Sequence, residues 1–270
     1  MPLALTTCAT ASEASAVLSR EGARYLGGGT LLVRAVNEGD IATSSYVRTT
    51  DPALSGIEVS QQGVRIGAST TMSMIIRHSA LAAISRAAKA VGGPAIRNMA
   101  TVGGNLFAPA PYGDFTVALQ ALGATVHTTG GDREIDDFLA RRDGLGAQAG
   151  AGTIVTAVSF DTPAEGSFRF VKVSRVKPKG VSVLSIAAVI ERDAQGLVTA
   201  ARIALGCMAD RPMRAAAAEK ALVGAPLTKA GIAGAVAVIG ANTDPITDPV
   251  ASAWYRSEVL PVHFSRLLLG

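Results

Sequence analysis

Apolar and polar positions follow two rhythms along the chain, and the switches between them mark its elements. Ala14, Val17 and Leu18 fall on one stripe of a helix predicted over 11–22, with Gly22 as its stop. Arg24-Tyr25-Leu26 reads as a short strand, Leu31 to Val36 as a helix ending at Asn37 and Gly39, and Tyr46-Val47-Arg48 as another strand. Asp51-Pro52 is a turn or helix start that closes a first lobe. Ile57-Glu58-Val59 and Val64-Arg65-Ile66 then alternate with period two around Gln61-Gln62-Gly63, which predicts a hairpin. Helical spacing returns over 71–78 and 81–91, the second stretch placing Leu81, Ile84, Ala88 and Val91 on one face.

Residues 92–113 have neither rhythm and are rich in Gly, Pro and Asn. A long structureless stretch inside a compact domain is uncommon and often functional, so the ligand is expected there. A helix over 114–122, with Asp114 at or near its N-cap, and strands over 124–128 and 154–160 complete a second lobe. A boundary near 161–166 precedes predicted strands at 168–174, 183–190 and 198–206, the last two joined as a hairpin by Asp193-Ala194-Gln195-Gly196. Three helices close the chain. The first starts at Pro212 and stops at Gly224, Thr228 caps the second, and the third runs over 250–269 with a bend or break at Pro261. The fold class is α+β, with one domain over 1–164, in lobes of about 1–53 and 54–164, and a smaller one over 165–270.

Composition narrows the function. Apolar residues make up 49% of the chain and charged ones only 17%, which suits a sizeable core and excludes disorder by charge. Aromatics at 4% and a net charge of +4 exclude a base-stacking nucleic-acid surface. Lys172, Arg175, Lys177 and Lys179 form the one notable basic group, read on its own as a solvated face. Cys8 and Cys207 are too few for an iron–sulfur cluster and read as buried thiols in a reducing compartment. His78, His127 and His263 are isolated, so no metal site is expected. Met1-Pro2-Leu3-Ala4-Leu5 lacks the basic start of a signal peptide, and no apolar run reaches about 18 residues, so a cytoplasmic protein without membrane insertion is expected.

Two glycine clusters carry the chemistry: Gly27-Gly28-Gly29-Thr30, between a predicted strand and helix, and Thr101-Val102-Gly103-Gly104-Asn105. Each leaves backbone N–H groups uncovered by a Cβ, so together they suit a pyrophosphate held from two sides. Two loops argue against the Rossmann solution, in which one G-x-G-x-x-G turn does most of the phosphate binding. No Walker A or G-x-S-x-G pattern is present.

The segments Arg24 to Arg34 and Ile96 to Asn105, followed by Pro111 and Asp114, resemble the FAD-binding subunits of molybdenum hydroxylases, the family of carbon monoxide dehydrogenase medium subunits and the xanthine dehydrogenase FAD domain. Phe170 to Arg175, Ala204 to Cys207, Arg211 to Arg214 and Glu219 resemble that family's small C-terminal domain. The resemblance implies a two-lobed FAD-binding domain of the vanillyl-alcohol-oxidase/p-cresol-methylhydroxylase type, followed by a domain of three antiparallel strands and three helices. It implies noncovalent FAD with Tyr25, Leu26, Gly27, Gly28, Gly29, Thr30, Leu31 and Leu32 on one side and Thr101, Val102, Gly103, Gly104 and Asn105 on the other. Asp114 matches an acidic residue suited to sugar hydroxyls, Lys172 a lysine close to the flavin, and Val91 and Val155 apolar contacts; Arg175 is a candidate for controlling access to the ring. Ala100 stands where the family usually has glycine, and Gly29 where it commonly has a polar residue.

The function so implied is electron transfer by an oxidoreductase subunit of a heterotrimer. A partner carrying 2Fe-2S clusters passes electrons from a subunit with the molybdenum cofactor to this FAD, which hands them to an external acceptor. A dimer of heterotrimers is the expected assembly. The alternatives are a self-contained flavin oxidase or dehydrogenase acting on a small molecule, for which no acid/base constellation is evident, and a non-redox nucleotide-binding module.

Overall fold

The computed structural model describes residues 3–19, 22–145, 152–176 and 180–270. Lys177 and Lys179 of the basic group, Met1-Pro2 and positions 20–21 of the first predicted helix lie outside the described residues. The chain opens with β1 (Ala4–Cys8), α1 (Ala11–Leu18), β2 (Ala23–Tyr25), α2 (Leu32–Asn37) and β3 (Ser45–Thr49). A 3-10 turn at Pro52–Leu54, capped by the Asp51 side chain, leads into β4 (Ile57–Ser60) and β5 (Gly63–Gly67). Next come α3 (Met72–Arg77), α4 (Ser85–Ala90), α5 (Pro94–Arg97), α6 (Val102–Leu106) and α7 (Asp114–Ala121). β6 (Thr125–Thr128), β7 (Gly131–Glu134), α8 (Ile135–Leu145) and β8 (Val155–Phe160) follow. The last third holds β9 (Phe168–Ser174), β10 (Ser182–Arg192), β11 (Val198–Gly206), β12 (Met213–Arg214), α9 (Ala216–Leu222), α10 (Ala233–Val238) and α11 (Ala253–Leu269).

Several elements depart from the sequence expectation. The helix predicted over 81–91 is shorter: a 3-10 turn covers Ser79–Leu81 and α4 starts at Ser85. The irregular stretch over 92–113 contains two short helices, α5 and α6, the latter capped by Thr101. α8 is an addition whose buried Ile135, Phe138 and Leu139 do sit at helical spacing. Pro212 begins no helix; Met213 and Arg214 pair with Leu205 and Ala204 as a fourth strand of the C-terminal sheet, and α9 starts later. α11 passes through Pro261 as one continuous helix, started by Ser252, whose hydroxyl accepts from the Tyr255 N–H at 3.2 Å.

Two compact units are formed. The first comprises residues 1–77, 94–108 and 124–161. It contains a parallel three-stranded sheet of order β1-β3-β2 and an antiparallel sheet of order β4-β5-β8-β6-β7. Cys8, Ala14, Leu18, Ala23, Val47 and Ile154 make a small core beneath the parallel sheet, so α1 is held by its Ala14–Leu18 stripe. Parallel pairing of β2 with β3 fixes where the chain emerges after Tyr25, because Leu26 N–H still donates to Val47 O at 2.7 Å.

The second unit comprises residues 78–93, 109–123 and 162–270. Its sheet is antiparallel in the order β12-β11-β10-β9. Leu184, Ile186, Ala188 and Ile190 of β10 pack into one core with Leu222, Ile232, Leu260 and Phe264 of the C-terminal helical region. Val183, Ser185 and Ala187 are equally buried, so β10 is covered on both faces and its apolar run is interrupted only by Ser185 between Val183 and Ile190. α7 packs against β10 and β11, and all of its residues are buried.

A fully buried cation braces this unit. Arg256 of α11 lies 2.8 Å from Asp248 through Nη2 and donates through Nη1 to the Ser182 and Val183 carbonyls. Burial pushes the Asp248 carboxyl up, but N–H donors from Ala251 and Val250 and the Arg256 charge outweigh it and hold the group below the ordinary carboxylate value. A depressed folded value means that the stabilisation is complete above the unfolded carboxylate range and is lost as pH falls through the folded value. The thermal midpoint of Asp248→Asn is therefore expected to lie below that of the parent at neutral pH, with the gap narrowing as acid protonates the parent's carboxyl. A gap independent of pH would remove the charge from this account.

Candidate functional site

Both glycine clusters lie in the first unit, and Asp114 and Lys172 lie in the second. In the first, β2 delivers the chain into Gly27-Gly28-Gly29-Thr30 and α2 carries it away. Gly29 takes φ +71, which only glycine adopts without strain. Among the described residues, no protein acceptor takes the N–H groups of Gly27, Gly28, Gly29, Thr30 or Leu31. Leu31 stands at the N-cap of α2 and supplies no side-chain cap. Five successive donors on a bare loop are an unusual concentration of unmet hydrogen-bonding capacity, and an anion with several oxygens matches it.

The second cluster is different in kind. Val102 N–H donates to Thr70 O at 3.0 Å, Gly103 N–H to Ala68 O at 2.8 Å, and Gly104 N–H to the Thr101 hydroxyl at 3.1 Å. Free amides on both loops were expected; the second loop's are satisfied inside the protein, because Thr101 caps α6 and the bridge from Thr71 to Thr101 locks its entry. What this loop supplies is position. Gly103 and Asn105 are buried and Gly104 is exposed, while Thr101 Oγ1 lies 3.1 Å from where a Cβ on either Gly27 or Gly104 would be. Met99 and Ala100 pack against Gly28 so closely that a Cβ there would sit 1.8 Å from Met99 O. The two glycine loops are thus brought together by backbone contact, and Ala100, where glycine was the family's habit, is buried at that junction.

Tyr25, Leu26, Leu31 and Leu32 flank the first loop and are half-buried. Burial raises the Tyr25 phenol to about 12, partly offset by a hydrogen bond with Ser69, so it stays protonated. Val155 opens β8 opposite Thr128 and is 5% exposed.

In the second unit, Gly113 in the left-handed region precedes α7 and leaves Asp114 as the helix's first residue, where a negative charge suits the helix dipole. Asp114 is buried. Its Oδ2 accepts from Lys172 Nζ at 2.8 Å and its Oδ1 from Ser182 Oγ at 2.6 Å. Lys172 Nζ also donates to Ala90 O at 2.8 Å, so one of its three N–H bonds is left over. The cluster is assembled from α7, β9, the start of β10 and the end of α4. Val91, next to Ala90, is half-buried, and Arg175 is exposed with Nη1 3.5 Å from Val250 O. Cys207 lies nearby with its thiol directed at Ser182 O, 3.7 Å away; burial and then the Asp114 charge raise it to about 12, which makes it unreactive.

Ser182, the Ala90 carbonyl and the Met99–Ala100 backbone escaped the sequence reading. A lone serine before an apolar strand and two main-chain carbonyls have no residue-type signal; only tertiary proximity reveals them.

A sequence model of the family described as "FAD binding domain in molybdopterin dehydrogenase" matches residues 2–161, and one described as "CO dehydrogenase flavoprotein C-terminal domain" matches residues 169–270. The chain is 32% identical over 267 residues to the carbon monoxide dehydrogenase medium chain of Afipia carboxidovorans, spanning 94% of this chain and 91% of that one. It is 31% identical over 227 residues to the nicotinate dehydrogenase FAD-subunit of Eubacterium barkeri, spanning 79% and 75%. Among solved structures, a chain of reconstituted CO dehydrogenase from Oligotropha carboxidovorans superposes with a TM-score of 0.88 at 28% identity, over 99% of this chain and 96% of that one. A chain of quinoline 2-oxidoreductase from Pseudomonas putida 86 shares the fold, with a TM-score of 0.86 at 24% identity over 100% and 96% of the two chains.

Proposed function

This chain belongs to the FAD-binding family of the molybdopterin dehydrogenases, and on that premise we propose that it is the electron-transferring FAD subunit of a heterotrimeric molybdenum hydroxylase. The observation that carries the reading is the run of unsatisfied N–H groups from Gly27 to Leu31. A dinucleotide's diphosphate is anionic and rich in acceptor oxygens, so the first loop fits it without rearrangement of its hydrogen bonds.

Bound FAD supplies the redox chemistry, and the protein supplies binding, orientation and electrostatics. In this reading the Gly27–Leu31 N–H groups hold the diphosphate, while Thr101, Val102, Gly103, Gly104 and Asn105 form the surface that keeps the first loop in place. Tyr25, Leu26, Leu32 and Val155 supply nearby apolar walls. For Asp114, Lys172, Val91 and Arg175 the assignment rests on the resemblance of the sequence. Asp114 has carboxylate lone pairs beyond those taken by Lys172 and Ser182 with which to accept a sugar hydroxyl, and Lys172 has one unused N–H. We assign the FAD-binding part to 1–164, in two lobes of the vanillyl-alcohol-oxidase type, and the C-terminal domain to 165–270.

The proposed route takes electrons from 2Fe-2S clusters on one partner, fed by a molybdenum-cofactor subunit, through this FAD to an external acceptor, within a cytoplasmic dimer of heterotrimers. Expression of the affinity-tagged chain in its native cells is expected to yield a yellow protein with flavin absorbance and to retrieve iron–sulfur and molybdenum subunits. A colourless preparation that takes up no FAD on titration would end the flavin assignment. A lone yellow protein that oxidises a small substrate without partners would end the subunit assignment.

A further inference from the structure

In the second unit a cavity of about 770 Å³ opens where β9 meets α4 and α11. Its lining includes Phe168, Arg169, Phe170 and Val171, four consecutive residues of one strand. Successive side chains of a strand point to opposite faces, so a cavity touching all four runs along the strand's edge and faces its backbone. β9 is the outermost strand of its sheet and pairs with β10 alone. Among the described residues, no further acceptor or donor engages the backbone of 168–173, which leaves the outward N–H and C=O groups of this edge open.

The flanks are basic. Arg86 and Lys89 project from α4, His263 and Arg266 from α11, and Arg169 from β9 itself, whereas no Asp or Glu side chain among the described residues lines the cavity. Arg86 and Arg266 are exposed and form no ion pair among the described residues. Burial and the neighbouring Arg192 charge lower the Arg169 value, in line with an excess of positive charge at this edge.

We infer that the open edge of β9 takes up an extended, acidic segment of another polypeptide as an added strand. Main-chain pairing to an exposed edge supplies affinity, and pockets for alternate side chains supply specificity. Here both halves are present: unpaired backbone along β9, and cationic side chains on either flank. A second copy of this chain is a poor occupant, because the same cations on both edges would face one another. A nucleotide is a poor occupant too, since its phosphates only accept hydrogen bonds and would leave the outward carbonyls unmet.

The test uses the full chain and a fluorescein-labelled seven-residue peptide, acetyl-Glu-Val-Glu-Val-Glu-Val-Glu-amide, matched to the length of β9 (7 residues). Fluorescence anisotropy is expected to register binding that weakens with added salt. Binding is also expected to fall about tenfold or more in the Arg86→Glu/Arg266→Glu variant, and by a similar factor when alternate peptide nitrogens are methylated. Hydrogen exchange is expected to slow in 168–173 on peptide binding. Flavin content, measured in parallel, is expected to be unchanged in the variant, which separates this result from the cofactor assignment. Absence of binding, equal binding of the methylated peptide, or full displacement by ATP with no protection of β9 would each overturn the proposal. So would a parent chain that ignores the peptide while the double variant self-associates, because the cations would then only guard the edge.

Discussion

Gly28→Ala and Gly28→Val are both expected to bind flavin more weakly, and the alanine variant is the more informative of the two. The Cβ itself is the problem. Built on the backbone at Gly28, it lies 1.8 Å from Met99 O, 2.6 Å from Met99 C and 3.1 Å from Ala100 Cα. These are backbone atoms with no rotamer to change, and they are held from behind: Ala100 N–H donates to Ile96 O at 2.7 Å and Ala100 O accepts from Met72 N–H at 2.9 Å. The loop over 27–31 must therefore give way and take its five N–H groups with it. Overpacking of a close contact costs about 1–3 kcal/mol. A loss of that size from cofactor affinity is a factor of roughly 5–150. Flavin-to-protein absorbance ratios and FAD titration of the apoprotein measure it. The comparison is Gly104→Val, whose Cβ meets only the Thr101 hydroxyl, at 3.1 Å, and which is expected to weaken binding less. Full FAD occupancy in Gly28→Ala would mean that the contact with Met99 does not hold a cofactor-binding loop in place.

Sequence reading located the loops and mistook the reason for one of them. Glycine runs advertise bare backbone, and both clusters do occur at loop-to-helix junctions. Whether a bare N–H is available depends on carbonyls far away in sequence, and Ala68 and Thr70 consume two of the second loop's donors. The glycine at 28 is likewise explained by Met99, a residue whose side chain gives no hint of its backbone's role. Long strands such as β10 and β11 were legible because burial of their side chains dictates residue type over many positions. β1 was not: its exposure alternates weakly, only Cys8 is buried, and its stability comes from parallel pairing with β3 some forty residues on. β12 was hidden for a related reason, since two residues carry no period and Pro212 imitates a helix start.

Lys172→Met is expected to destabilise the second unit by about 3–5 kcal/mol, the cost of removing one partner from a buried ion pair. The Lys172 and Asp114 side chains are 14% and 6% exposed, so water is in no position to replace the lost ammonium around the carboxylate. Ser182 Oγ would still donate to Oδ1, but Oδ2 would lose the ammonium that donates to it. Adding Asp114→Asn should recover much of the loss, because an uncharged amide beside Ser182 is far cheaper to bury than a bare carboxylate. Urea unfolding of the parent, the two single variants and the double variant closes this cycle. A Lys172→Met variant within about 0.5 kcal/mol of the parent would place the pair in the class of exposed ion pairs. A double variant no better than Lys172→Met would show that packing, not charge, was lost. Because the resemblance matches Lys172 to a lysine close to the flavin, its removal is also expected to change the flavin's reduction potential. With Asp114 2.8 Å away, that single variant also adds an uncompensated negative charge, so its potential reports both effects at once. The potential of the double variant, in which neither charge remains, is the one that isolates what the pair as a whole contributes to the flavin.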